Sequence, residues 1–572
     1  VHLEQFAIND QHRGQEKGIP KDSFFVDQSH RQNLTERRHL TLYLLAPTLW
    51  VKVLAQSPFP YEVSIEPRSI NGLPALHAYA HGQDAGKWLV VGGRCDGLHA
   101  RQPFNAFPLA SNNDQLFVID PIAAQVWSAN LSSLPLTVRE QLQSTNMNFH
   151  QMGDYLFIAG GYAYAPSAGD HITFPYLTAI HVPDIIAAIV AGDTDLSPFV
   201  FQVEDDFFAL TGGHLVAHDA TWYLAGGHRF DGRYNPMGNP TFTQSYSNAI
   251  RMFSAEVSDG QLIVGAFDEW VDPVHLRRRD YNLLPQVFPD GTQGFTVFSG
   301  VFQINADLPF LYPVDFTANE YTPRTEFNQY LNHYHSATLS LWESAENTMH
   351  NLFFGGMSQF YFVDGALVED QNVPFVSTIG LVTRDSGNVL TESAIPLVLP
   401  GLEGASAEFI LANGLPTTTN GCVDLSAIEA ETFTLGYIYG GIQTSTLNPF
   451  SVNQTNTTAA ADVLYEVKLT RQPLAVQEQV VGQVSPELRL APNPAIDGVS
   501  AVNFTLWAET DVVLLVSGLN GTLIMNAPLG LLAPGDHQFE IEFDRDLADQ
   551  IVVVTAIFNH RHYTSKRLVL NQ

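Results

Sequence analysis

Residues Lys87–Gly93 read KWLVVGG: a short apolar run rich in β-branched and aromatic residues, ended by two glycines. Such a run is strand-like, and Gly-Gly is a strong punctuator. A strand that turns sharply beside neighbouring backbone needs positive φ and no Cβ, and glycine supplies both. The same arrangement returns along the chain as DYLFIAGG ending at Gly161, TWYLAGG at Gly227, NLFFGG at Gly356 and YIYGG at Gly441. A sixth copy, GFTVFSG, ends at Gly300 with Ser299 in place of the first glycine.

Other features recur in phase with these pairs. A histidine precedes the run in four units (His77, His150, His214 and His335), and Asn282 takes a similar place in the fourth. Past each pair comes a second apolar strand, clearest as NNDQLFVIDPIAAQVW from Asn112 to Trp127. Weaker copies are PYLTAIHV from Pro175, NAIRMFSAEV from Asn248, VSTIGLVTR from Val376 and ADVLYEVKL from Ala461. The histidines are expected to bond between neighbouring strands rather than to hold a ligand.

These marks resemble the kelch repeat: a His-bearing inner strand, a strand ending in Gly-Gly, and an Asp-Pro turn leading to Trp. Unit one has all of them, in His77, Gly92-Gly93, Asp120-Pro121 and Trp127, and the others have subsets. Glycine pairs stand about 55 to 85 residues apart, longer than the ~50 of kelch, with the excess in the connections. The resemblance implies an all-β chain in which 57–477 form a six-bladed kelch-type β-propeller, each blade a four-stranded sheet completed by radial packing. The degenerate fourth unit leaves five or seven blades open.

The whole chain has 572 residues, 27 Lys+Arg, 59 Asp+Glu, a net charge of −32, and 45% hydrophobic residues. It is globular, and its acidity argues against nucleic acid as a partner. Two cysteines cannot build a disulfide scaffold or a four-cysteine zinc site. Near the start, Arg37-Arg38 precede the apolar stretch Leu40–Val51 and then Val53-Leu54-Ala55. This is the order of a secretory signal peptide (about 37–55) inside a leader, 1–55. Cleavage after Ala55 leaves 20 Lys+Arg against 53 Asp+Glu, a net of −33. No other segment reaches 18 consecutive apolar residues, so no membrane span is expected.

After Arg471 the composition shifts. A linker, 478–487, leads to short alternating strands separated by Asn-Gly and Pro-Gly turns, which predict a small Ig-like β-sandwich over 488–572. Pro492-Asn493-Pro494-Ala495, the Val502/Phe504/Leu506 strand, Asn520-Gly521, Gly535 and the terminal Lys566-Arg567-Leu568-Val569 resemble the type A sorting domain of the type IX secretion system of Bacteroidota. Two departures stand out: Ala491 where an aromatic is usual, and no glycine in Ala548-Asp549-Gln550. The resemblance implies type IX machinery as a partner through residues 488–572, and a destination outside the cell or on the outer-membrane surface by way of the periplasm.

Chemistry is expected on the long polar loops that follow the glycine pairs, since binding residues gather on loops over a rigid scaffold. The first loop is RCDGLHARQPFNAF, Arg94–Phe107; the third is HRFDGRYNPMGNP, His228–Pro240; the fifth begins MSQFYFVDG at Met357. Arginine forks bind carboxylates and stack on aromatic or sugar faces. Arg94, Asp96, His99, Arg101, His228, Arg229, Asp231, Arg233 and Tyr234 are therefore the candidate ligand-binding residues, with Phe104, Phe230, Phe360 and Tyr361 as platforms. Alternatively, the arginines only staple the loops to Asp96 and Asp231. HLRRRDYNLLP, His275–Pro285, reads as a solvated strand edge or a pocket wall.

The expected role is binding of a glycan or an extracellular protein by a monomer. The alternative is a carbohydrate-active enzyme on the same face. A copper oxidase similar to galactose oxidase needs a Cys–Tyr cross-link and a Tyr-His segment that are not evident around Cys95 or Cys422. A sugar mutarotase similar to the sialic-acid epimerases needs acid–base groups such as His99, His228, Asp96 and Asp231 within reach of the moving protons. A glycosidase needs two carboxylates about 5–9 Å apart, which no motif selects. No cofactor and no metal is expected: zinc, EF-hand and phosphate-loop spacings are missing. Cys95 and Cys422 are placed on opposite faces, against a disulfide between them.

Overall fold

The computed structural model describes residues 59–236, 241–331, 334–363, 366–471, 488–496, 498–506, 509–518, 523–543, 547, 550–558 and 562–570. The leader 1–55, the linker 478–487 and Asn520-Gly521 lie outside the described residues. The chain divides between Gln472 and Pro473 into two compact units.

In the first unit, six antiparallel four-stranded blades follow one another, and the sheet of blade 5 carries a fifth, parallel strand, Val423–Asp424. Blade 1 is Ala80–Asp84, Lys87–Val91, Gln115–Asp120 and Gln125–Asn130; blade 2 is Asn148–Met152, Tyr155–Ala159, Tyr176–His181 and Val200–Glu204. Blade 3 is His214–His218, Thr221–Ala225, Ala249–Ser258 and Gln261–Val271; blade 4 is Asn282–Val287, Gln293–Phe298, Val314–Phe316 and Tyr321–Pro323. Blade 5 is Ala337–Glu343, Thr348–Phe354, Thr378–Arg384 and Leu390–Val398. Blade 6 takes Glu408–Leu411, Thr432–Tyr439 and Leu464–Arg471 from the end of the unit, and its outer strand, Tyr61–Arg68, from the beginning. Tyr61 pairs with Arg471 and Arg68 with Leu464, so one sheet closes the circle. This is a six-bladed β-propeller.

Burial explains the sequence pattern. Second strands are enclosed on both faces by neighbouring blades and read as continuous apolar runs: Trp88, Leu89, Val90 and Val91 are all buried. The outer strand Gln125–Asn130 has no residue buried and mixes exposed polar residues with the half-buried Val126 and Trp127.

The glycine pairs join the blades. The second glycine donates its N–H to a carbonyl of the next blade: Gly93 to Ser144 (2.8 Å), Gly161 to Leu210 (3.1 Å), Gly227 to Arg278 (2.7 Å), Gly356 to Glu403 (2.9 Å) and Gly441 to Leu76 (2.9 Å). A Cβ on the first glycine would run into the same incoming backbone, 1.8 Å from Leu210 O at Gly160 and 2.2 Å from Leu76 O at Gly440. All these glycines have positive φ, and Ser299 adopts φ 57° in the fourth unit. The degenerate copy is therefore a true member of the set.

Where the inner strands begin, a closed ring of backbone hydrogen bonds runs round the axis. Asn146 N donates to Ala78 O, Gly212 to Asn146, Asp280 to Gly212, His335 to Asp280, Ser406 to His335 and Ala78 to Ser406, at 2.7–3.2 Å. The phased histidines hold unlike places relative to this ring. His335 is a ring member, His77 precedes one, and His214 and His150 lie two and four residues beyond theirs. Their common phase in the sequence therefore does not make them equivalent in the fold. His214 does bond between blades, its Nε2 lying 2.8 Å from Tyr281 O.

Arg277–Arg279 also differ from expectation. Arg278 and Arg279 are 1% and 0% exposed, so the segment is not a solvated edge. Arg278 donates to His275 O, Ser299 O and Tyr312 O and lies over the rings of Phe310 and Tyr312. Arg279 pairs with Asp280 and donates to Tyr246 Oη. The arginines saturate loop carbonyls that the long connections bury.

The second unit is a seven-stranded sandwich. One sheet is Arg489–Ile496, Val499–Leu506 and Gly535–Glu542; the other is Leu523–Leu532, Thr510–Gly518, Ile551–Phe558 and His562–Val569. Val502, Phe504 and Leu506 face Val512, Leu514, Val554 and Phe558 in its core. Asn493, between its two prolines, bonds to the last strand through both side-chain atoms: Nδ2 donates to Arg567 O (2.7 Å) and Oδ1 accepts from Val569 N (3.1 Å). Proline has no N–H to offer a partner strand, and the amide between the prolines makes those bonds instead.

Candidate functional site

The loops after the glycine pairs form a second layer over the ring. Three contain hairpins: Tyr162–Ala165 with Asp170–Thr173, His228–Arg233 with Thr241–Tyr246, and Phe360–Val363 with Ala366–Glu369. The blade 6 loop adds Ile442–Thr444 and Thr458–Ala460 to Leu402–Ala405. Beneath them, Phe107, Tyr162, Phe230, Val301, Met357, Phe375, Ile442 and Phe450 make one buried cluster with members from all six loops. The loops therefore bring their own apolar core and cover the axis.

Within this layer Arg94 is 2% exposed. Its Nε and Nη2 grip both oxygens of Asp96, its Nη1 donates to Asn112 Oδ1 (3.0 Å), and its guanidinium lies over Phe107. His99, 4% exposed, stacks on Phe107 and meets the edges of Tyr234 and Phe450. Tyr234 is fully buried against Phe230 and Phe242. His228 is also fully buried, with Nδ1 2.6 Å from Gln244 Nε2; burial, then the charge of Arg279, holds its pKa well below the ordinary value.

The remaining candidates reach solvent. Arg229 donates to Asp231 Oδ2 (2.7 Å) and Asp206 Oδ1 (3.1 Å), and these bonds raise its pKa. Asp231 also accepts from Thr173 N (3.0 Å). Arg101 reaches blade 6, donating to Ser451 O (3.2 Å) over the Phe450 ring. Arg233 is half-buried beside Thr241, whose hydroxyl donates to its carbonyl. The structure thus joins His99 with Tyr234, Arg94 with Asp96, and Arg229 with Asp231.

On the outside of the layer, apolar side chains stand in water. Phe104 is 75% exposed, and Leu447, Val452, Phe362 and Val363 are exposed as well. They belong to the loops of three successive blades, 1, 6 and 5. Gln102 bonds to Asn453 and Asn448 to Asp370, which cross-link those loops.

Beneath the ring lies a cluster that sequence reading missed. His335 Nε2 is 3.2 Å from Glu408 Oε1, the His214 ring is 5.3 Å from His335, and Asp280 completes the wall. Burial acts to lower the His335 pKa, but the charge and hydrogen bond of Glu408 outweigh it and the net shift is upward. His214 is pushed down to about 4, first by burial and then by His335. The cluster borders a space of about 20 Å³, which holds about one water. Its members come from blades 3 to 6, so no local motif could show them; the only hint was a polar residue at the start of those inner strands.

Cys95 is exposed in the first loop and Cys422 is buried at the other face, and both are free. Burial raises the Cys422 thiol to about 12. Among the described residues, no group of three or more His, Cys, Asp or Glu is placed to hold a metal, and no helix is long and apolar enough to cross a membrane.

No family model matches the chain, and no curated protein matches it. Several solved structures are similar in trace. YjhT is 10% identical with a TM-score of 0.39, over 70% of this chain and 99% of its own. A fungal alcohol oxidase of the AA5 family, in complex with copper, is 9% identical with a TM-score of 0.34, over 90% and 99%. An exo-1,5-α-L-arabinanase from a bovine ruminal metagenomic library is 10% identical with a TM-score of 0.25, over 69% and 94%. No residue role or activity is carried over from them to this chain.

Proposed function

We propose that this chain is an exported, kelch-type β-propeller that binds a neutral glycan or an extracellular protein on its long-loop face. The observation that carries the reading is the loop layer itself: it closes the axis with its own apolar core yet leaves Phe104 75% exposed. Exposed aromatics with a polar rim mark a binding surface rather than a core. In this reading Asp96, Arg101, Arg229, Asp231 and Arg233 meet the ligand, while Arg94, His99, His228 and Tyr234 position the loops. Arg94 and Arg229 are already paired to carboxylates, which favours a neutral ligand over an acidic one.

The sorting-domain resemblance supports type IX export through 488–572 and a destination outside the cell or on its surface. Glycan-array screening of the full chain, with Phe104→Ala as the comparison, tests the binding role; equal array signals for both proteins would sink it. Deletion of 488–572 tests export: retention in the periplasm is expected, and normal release would refute it.

A second reading is a carbohydrate-active enzyme on the same long-loop face, where Asp231 reaches solvent beside Arg229 and could serve acid–base work. Product formation from oligosaccharides that is abolished by Asp231→Ala or His228→Ala would establish it in place of pure binding.

A further inference from the structure

We infer that the face opposite the long loops carries a separate site for a small neutral sugar, between blades 4 and 5. Three turns meet there: Phe288–Thr292 and Thr317–Glu320 of blade 4, and the turn of blade 5 that holds Asn388. They border an open cleft of about 490 Å³, within the ~300–1,000 Å³ usual for small-molecule sites.

Its floor is rigid and internally neutralised. Asp315, 6% exposed, accepts from Thr296 Oγ1 (2.6 Å), from Arg384 Nη2 (2.6 Å) and Nη1 (3.0 Å), and from Arg324 Nη1 (3.0 Å). Arg384 lies over the Phe288 ring, and Arg324 also donates to Glu326 Oε1 (2.6 Å). The Asn388 side-chain oxygen accepts from Arg384 Nη1 (2.6 Å) and Arg324 Nη1 (3.2 Å), so the orientation of its amide is set before any ligand arrives.

The rim selects the chemistry. Asp290, Thr292, Asn319, Glu320, Thr322 and Asn388 are exposed and offer carboxylate, hydroxyl and amide groups round one opening. In the lining one arginine, Arg324, faces three carboxylates, Asp290, Asp315 and Glu320, which repels an anion. Phe288 and Phe316 are nearly covered, so a purely apolar ligand finds little surface. Hydroxyl groups both donate and accept, and a polyol matches such a mixed rim.

Calorimetric titration of the full chain with glucose, galactose, xylose, arabinose and cellobiose, with glucuronate and glucosamine as charged counterparts, tests the site. At least one neutral sugar is expected to bind. Asn319→Ala and Thr322→Val should each weaken it tenfold or more with unchanged unfolding midpoints. Thr322→Ser should retain binding, and Phe104→Ala should leave it untouched. The site is overturned if no neutral sugar binds, if both substitutions are silent, or if a charged counterpart binds as tightly. Loss in Phe104→Ala alone would assign the sugar to the long-loop face and overturn this site while supporting that one.

Discussion

Single atoms decide whether neighbouring blades can meet. A methyl group on Gly160 would sit 1.8 Å from Leu210 O, and the residue's φ of +68° already disfavours a side chain. Backbone cannot yield there without opening the joint between blades 2 and 3. Gly160→Ala is expected to destabilise the propeller by about 3 kcal/mol or more. Gly153, with φ +59°, has nothing within 4 Å of an added Cβ. Gly153→Ala should therefore cost only the ~1–2 kcal/mol of a left-handed backbone. Urea unfolding of the two variants checks the contrast, and equal losses would show that the inter-blade approach is not the cause. In the sandwich, Asn493→Ala removes two exposed hydrogen bonds. Its cost should be about 1 kcal/mol, confined to the unfolding transition of that unit in calorimetry.

Elements are joined by sequence-distant pairing. The outer strand of blade 6 comes from the start of the unit, and Tyr61–Arg68 covers the edge of Leu464–Arg471 with eight residue pairs. Removing Phe59–Arg68 would leave that edge exposed, and free edges recruit other chains. The truncated protein is expected to lose its cooperative transition and to appear as oligomers in size-exclusion chromatography; a monomer with the parent's unfolding midpoint would contradict this. The two faces are also built differently. Beneath blades 4 and 5, Val423–Asp424 pairs in parallel with the inner strand of blade 5, and Asn420 donates to Gln286 O and Gly294 O of blade 4. Thus a connection of blade 6 crosses below its neighbours, while the long loops interlock above.

At the scale of the whole propeller, pH dependence is collective. His150, His214 and His350 are each lowered to about 4, chiefly by burial. A histidine whose folded pKa lies below its unfolded value takes up its proton first in the unfolded chain. The stability concerned is present above about pH 6.5 and lost as pH falls toward 4. His335, shifted upward, does the reverse: its contribution is complete below pH 6.5 and lost as pH rises through its folded pKa. His77, His81, His171 and His228 are shifted down as well, so among the described residues seven histidines oppose one and the melting temperature should fall between pH 6.5 and 4. His150→Phe, beside Trp222, should flatten that fall; an unchanged slope would rule out His150 as a contributor.

The sequence by itself determined the repeat and the sandwich and pointed to six blades, while the degenerate fourth unit left five or seven open. Each depends on local periodicity: a buried second strand must be apolar throughout, and a turn against foreign backbone must be glycine. Even Ser299 kept its place in the series through its strand and the glycine after it. Function was less legible, because the candidate residues were chosen by type. Arg94 and Arg229 fit two readings in sequence, ligand forks or staples to Asp96 and Asp231, and in the structure both guanidinium groups bond those carboxylates two residues away. His99 is buried against Tyr234 and Phe450 of other loops, and His228 and Tyr234 against rings of their own hairpin; ring partners have no fixed spacing along the chain. Only the tertiary structure decided that the axis is closed, that His335 meets Glu408, and that three turns border a cleft on the far face. Those features are made by side chains from different blades, converging through the circular order of the sheets rather than through sequence neighbourhood.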